Sequence, residues 1–119
     1  MFYFIFRGSE ALNLTKFLPL TETTYYILLS LTSPLHGYGI MQNVEELSHG
    51  RVRIAAGTLY GALDNLLKNQ LIALLDTGMD SRRKVYQITD YGMEVLQLEY
   101  ERMVELIQVS DIVLGRSLS

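Results

Sequence analysis

Thr58, Gly61, Asp64, Asn65 and Lys68 recur on one side of the stretch Gly57–Lys68, GTLYGALDNLLK, while Leu59, Leu63, Leu66 and Leu67 fall on the other. The polar side has the chemistry of base and phosphate recognition. An Asn65 amide can pair with adenine, a Thr58 hydroxyl can donate to a phosphate or touch a thymine methyl, and Lys68 can neutralise a phosphate. Asp64 could accept from cytosine, at a repulsive cost near phosphates. Tyr60 lies on the boundary between the two sides, where its hydroxyl could reach a phosphate while its ring shields the junction with the core. Arg82, Arg83 and Lys84 form a cationic run able to follow a phosphate backbone or enter a minor groove. Neighbours on a strand point oppositely, so not all three are expected to reach the same ligand. His36 and Tyr38 open another helical stretch, whose first backbone N–H groups favour an anion. Each feature also has a plainer use: a solvated helix face, a charged hairpin, an ordinary turn histidine, a packing tyrosine.

Catalytic arrangements are not found. His36 and His49 are the only histidines, with no acid or hydroxyl at a spacing that specifies a nucleophile or a metal site, and there is no cysteine. The glycines of Gly37-Tyr38-Gly39 follow a proline turn rather than a strand, so they do not form a dinucleotide loop. No enzyme activity, cofactor or metal is expected.

The elements that must position these residues follow from apolar spacing. One helix begins at Thr21, a side-chain cap with Glu22 in the first turn, and stops at Ser33-Pro34. A second runs from about Gly37 through Ile40, Met41, Val44 and Leu47 to the stop at Ser48-His49-Gly50. Arg51-Val52-Arg53-Ile54 alternates basic and apolar residues, which predicts a very short strand with its arginines wet or paired with Glu45 and Glu46. The third helix carries the polar face. Leu71–Asp76 and Lys84–Ile88 read as two strands joined by a turn at 77–80, and a long helix spans about Met93–Leu114, capped by Thr89 or Asp90. That helix has two apolar stripes, Leu96, Tyr100, Met103 and Ile107 with Leu114, and Val95, Leu98, Leu106, Val109 and Val113. One stripe suffices to dock on its own domain, so the second predicts a partner helix in a homodimer.

Composition agrees with a globular chain: 119 residues, 49% hydrophobic and 19% charged. The net charge of −3 is unevenly spread. Positions 36–89 hold six Lys/Arg against five Asp/Glu, whereas positions 90–119 hold two against six, so the acidic end would face away from phosphate. The run Phe2–Phe6 is too short for a membrane span or a secretory apolar region, and is expected to be a poorly ordered terminus or an apolar arm against a partner. Absence of cysteine fits a reducing, cytoplasmic setting. The expected organisation is an N-terminal arm at 1–19, a winged domain at 20–90 and a dimerisation helix at 91–119. The fold class is mainly α with a small antiparallel β wing, a winged helix-turn-helix followed by a long C-terminal helix.

Three segments carry a resemblance to a known family: Pro34-Leu35-His36-Gly37-Tyr38-Gly39-Ile40, then Gly57-Thr58-Leu59-Tyr60 with Leu63 and Leu66, then Arg83-Lys84-Val85-Tyr86-Gln87-Ile88-Thr89 with Gly92. In this order and at these separations they resemble the PadR family of transcriptional regulators. The resemblance implies a homodimeric bacterial regulator, usually a repressor, that binds a palindromic operator in double-stranded DNA and is released by a small molecule near the dimer interface. The tyrosines and methionines of the last helix could line a site for a flat aromatic effector. The chain departs from the family pattern at Ala55 and Ala56, where a capping serine and a proline are usual, so the third helix is expected to start late or fray. It departs again at Gly61 and Asp64, where basic residues are usual, leaving Lys68 as the helix's only cation. The competing expectation is a winged-helix protein-interaction or ligand-binding dimer that does not bind DNA.

Overall fold

The computed structural model describes residues 14–75 and 84–116. It divides into two compact units: Leu20–Met93, and a second that joins the segment ending at Pro19 with the residues from Glu94 onward. The expected arm at Phe2–Phe6 lies outside the described residues, as do Arg82 and Arg83 and the turn at 77–80.

In the first unit, helix α1 spans Glu22–Ser30. The Thr21 hydroxyl accepts from the Thr24 backbone N–H at 3.1 Å, the expected cap, which is worth about 1 kcal/mol. Strand β1, Leu35–His36, leads directly into helix α2, Gly37–Leu47. Helix α3 is Ala56–Lys68. Strands β2, Ile72–Leu75, and β3, Val85–Ile88, complete an antiparallel sheet of order β1-β3-β2. Leu74 and Leu35 face Tyr86 from either side of the central strand. Helix α4, Asp90–Leu114, follows and continues into the second unit.

Burial follows the helical period. Leu59, Leu63 and Leu66 of α3 meet a core that includes Ile27, Leu28, Leu31, Ile40, Val44, Leu71, Ile72 and Tyr86. Each such leucine contributes about 1.5–3 kcal/mol over an exposed position. Ser30 ties α1 to α2: its hydroxyl donates to the Tyr26 carbonyl and accepts from Asn43 Nδ2 at 3.0 Å. The Ser30 hydroxyl is therefore satisfied both as donor and as acceptor.

The strand expected at Arg51–Ile54 does not form. Its alternation is real, but no neighbouring strand supplies backbone partners. The third strand is instead Leu35–His36, which pairs with β3. Residues 51–54 are held by side chains. Ser48 Oγ accepts from the Val52 N–H at 2.9 Å, Arg51 forms a two-pronged pair with Glu22, and Arg53 Nε stands 3.5 Å from Glu45 Oε2. The Arg53–Glu45 pairing is the one expected, while Arg51 finds an acid on α1 rather than on α2.

Helix α4 also starts earlier than Met93, because Thr89 caps it. The Thr89 hydroxyl accepts from the Gly92 N–H at 2.9 Å and donates to the Gln70 carbonyl at 2.8 Å. Gly92 is therefore a helical residue, and a Cβ there would strike the Leu71 carbonyl oxygen and lie 2.9 Å from Ile88 Cγ1. In the second unit a short 3-10 turn, Thr15–Phe17, follows the buried Leu14. Val95, Leu96, Leu98 and Glu99 of α4 are buried. Glu99 is a buried acid beside Val95, Leu96 and Leu98, matched by Arg102 one turn on, whose Nη2 donates to Oε2 at 3.0 Å. The hydrogen bond to that carboxylate raises the Arg102 pKa.

Candidate nucleic-acid interface

The start of α2 and the outer side of α3 meet at one point. Tyr60 reaches from α3 to the first residue of α2, where a Cβ on Gly37 would collide with its hydroxyl and lie 2.9 Å from Cζ. Only glycine permits this approach. Together with His36, Tyr38, Asp64, Lys84 and Tyr86, these residues line a cleft of about 460 Å³. Tyr38 is well exposed, its hydroxyl accepting from Gln42 Nε2 at 3.3 Å, and Tyr60 is half exposed. The Tyr60 hydroxyl thus lies against the start of α2, and Tyr38 is the more open of the two rings. Tyr86 is buried at the floor. Burial above all, then the neighbouring Tyr60 and Asp64, raise its hydroxyl pKa, so it remains a neutral phenol.

Along α3 the side predicted to be polar is the exposed side. Thr58, Gly61, Asp64, Asn65 and Lys68 are all exposed, and Tyr60 lies at the edge next to α2. A Cβ on Gly57 or Gly61 would meet nothing within 4 Å, so nothing in the free chain's packing requires glycine there. Asn65 Oδ1 accepts from Asn69 Nδ2 at 3.3 Å, which orients its amide from one turn further along. The helix begins at Ala56 rather than later, and no side chain caps it. Its first N–H groups thus have no side-chain acceptor.

Lys84 is exposed immediately before β3 and lines the same cleft, so the beginning of the returning strand joins the two helices on one surface. His36 precedes α2 in an extended conformation and does not cap it with its side chain. On α4, Leu96 is buried within the chain and Met103 is partly covered, while Tyr100, Leu106, Ile107 and Leu114 are exposed. Among the described residues no cluster of three acids and histidines could hold a metal ion, and no helix is long and apolar enough to cross a membrane.

The order helix, strand, helix, helix, then two strands of a wing is that of a winged helix-turn-helix. The model of the transcriptional regulator PadR-like family matches residues 27–98, more than half of the chain. This chain belongs to the PadR-like family. The family is one of transcriptional regulators. The match takes in α2, α3 and β3, whose residues line the cleft, together with β2 and the start of α4.

Solved PadR-like structures share the fold. A PadR family transcription regulator from Clostridium difficile is 23% identical with a TM-score of 0.64, covering 78% of this chain and 98% of its own. A PadR-like regulator from Bacillus cereus is 20% identical with a TM-score of 0.64, covering 86% and 99%. RosR from H. salinarum is 23% identical with a TM-score of 0.64, covering 83% and 94%. A curated relative, an uncharacterized 37.1 kDa protein in transposon TN4556 of Streptomyces fradiae, is 37% identical over 73 residues, or 61% of this chain, which spans only 20% of that relative's length.

Sequence reasoning assembled the exposed side of this PadR-like α3 but missed two members of the cleft. Tyr86 entered as a strand residue and a member of the third motif, with no role at the site. The Gly37–Tyr60 approach was hidden although both residues lie in the quoted motifs, because a contact between positions far apart leaves no periodic trace.

Proposed function

We propose that this PadR-like chain binds double-stranded DNA as a homodimer at a palindromic operator and acts as a repressor. The observation that carries the reading is the single exposed surface made by the start of α2, the outer side of α3 and Lys84. In this reading α3 enters the major groove, where Thr58 and Asn65 meet base edges or phosphates and Lys68 a phosphate. Gly61 allows the helix to come close. Tyr38, Tyr60 and His36 hold the backbone at the start of α2, and Lys84 with Arg82 and Arg83 follows it from the wing. The net negative charge is no obstacle, since the acids concentrate on α4.

Homodimerisation is supported by the unpartnered apolar length of α4, where Val109, Ile112, Val113 and Leu114 stand exposed along with Tyr100, Leu106 and Ile107. A soluble chain rarely leaves so long an apolar run wet. Twofold pairing through it would present two α3 helices to two half-sites. A groove of about 900 Å³ has an apolar wall of Leu18, Leu98, Tyr100 and Val104 with Arg102, Glu101 and Glu105 among its polar lining, and in this reading it takes a small aromatic effector that releases the DNA. The setting is the bacterial cytoplasm.

The test is selection of genomic fragments by the purified chain, followed by titration of the enriched duplex at several salt concentrations. Specific binding that falls steeply with salt supports the reading. The competing reading, a winged-helix interaction module without DNA binding, is favoured by the single cation on α3, and failure to enrich any fragment would establish it over the regulator mechanism.

A further inference from the structure

We propose that Asp64 selects bases: its carboxylate accepts from the exocyclic amino group of a cytosine in the major groove, and it repels duplexes that present no such group. This rests on the DNA-binding reading above and adds a base preference that the reading does not contain.

Asp64 is an acid in the middle of a surface otherwise fit for a polyanion. It is exposed on α3, one turn beyond Tyr60 and one turn before Lys68, and it lines the cleft with Lys84. Three other acids, Glu22, Glu45 and Glu99, each hold an arginine. Asp64 forms no ion pair with any described residue, although two lysines stand on its side of the molecule. The helix gains nothing from it either. Acids stabilise the first turn of a helix, and Asp64 lies in the C-terminal half of Ala56–Lys68, where the macrodipole disfavours it. Among the described residues it satisfies no buried donor, and it is only the last of three causes, after burial and Tyr60, that raise the Tyr86 pKa.

A carboxylate brought against DNA is tolerated where it accepts a hydrogen bond that outweighs its repulsion from phosphate. Two bases present an amino donor in the major groove. Adenine sets its amine beside the N7 acceptor, which opposes the second carboxylate oxygen, whereas cytosine presents the N4 donor without an acceptor on the same edge. The chemistry therefore fits cytosine. A short aspartate reaches a base only if the helix backbone comes close, and the bare positions at Gly57 and Gly61, on the same side two turns and one turn earlier, leave room for that.

The experiment is selection from a randomised duplex pool by the full chain, by Asp64→Asn and by Asp64→Ala, with affinities then measured on the selected site and on one with a single C·G pair changed to T·A. The wild-type chain should enrich cytosine at one position of each half-site and lose about 10-fold or more in affinity when that pair is changed. Both variants should bind the two duplexes alike and hold random duplex more tightly, with the salt slope unchanged. Variants that bind every duplex more tightly yet keep the wild-type base preferences would overturn the proposal, leaving Asp64 as general negative charge. A wild-type chain that enriches duplexes without cytosine at any fixed position would overturn it as well. A wild-type chain that enriches nothing would remove the DNA-binding reading and this proposal together.

Discussion

Replacing Gly61 by alanine should stabilise the free protein and weaken its hold on DNA. Glycine inside a helix costs about 0.5–1 kcal/mol relative to alanine, because its unfolded backbone has more freedom to lose. A Cβ at Gly61 meets nothing within 4 Å, so the substitution recovers that cost without a clash. For a domain of this size the gain raises the melting temperature by about 2–6 °C. On DNA the balance reverses. The added methyl projects about 1.5 Å from the Cα on the side facing the groove and holds α3 away from the base edges. Losing the geometry of one good base contact costs about 1–3 kcal/mol, or about 5- to 150-fold in affinity. Thermal unfolding of the free chain and fluorescence anisotropy with a selected duplex at fixed salt measure the two effects separately. A raised melting temperature with unchanged or tighter DNA binding would refute the reasoning, since the glycine would then serve neither folding nor approach. A lowered melting temperature would refute the open position itself.

Gly92→Ala should do the opposite to stability, because its Cβ would strike the Leu71 carbonyl oxygen and crowd Ile88; a loss of about 1–3 kcal/mol is expected in denaturant titration. Lys84→Ala should lower the slope of log affinity against log salt by about 1 while weakening all duplexes alike, and an unchanged slope would take Lys84 off the phosphate backbone. Val113→Asp, at a position 76% exposed in the single chain, should leave the fold intact and convert a dimer to monomer in sedimentation experiments. A dimer that survives this charge would move the interface off the end of α4.

The helices were legible because each buries one side at helical spacing, and Leu59, Leu63 and Leu66 alone suffice to orient α3. The wing strands were legible from β-branched and aromatic residues around turn-forming ones. What sequence could not supply was pairing across distance. Leu35-His36 has no strand pattern of its own and becomes one only beside β3, whereas Arg51–Ile54 has the pattern and no partner. Gly92 read as part of a turn, since the reason for a glycine in a helix is a carbonyl at Leu71 that no local window contains. Glu99 hid in the same way: a buried carboxylate is tolerated because Arg102 lies one turn away, and spacing alone does not tell a buried pair from a solvated one. In the candidate site, the exposed side of α3 was read residue by residue, while the tyrosine floor beneath it needed coordinates.

Thr89 is the whole of the splice between the wing and the long helix. A single residue ends β3, caps α4 through Gly92, and is fastened to Gln70 and Leu71 by its hydroxyl and its N–H. One residue inserted beside it would carry the hydroxyl off either the Gln70 carbonyl or the Gly92 N–H, and the first turn of α4 would lose its cap. Natural or engineered changes in length are therefore better borne elsewhere than at this threonine.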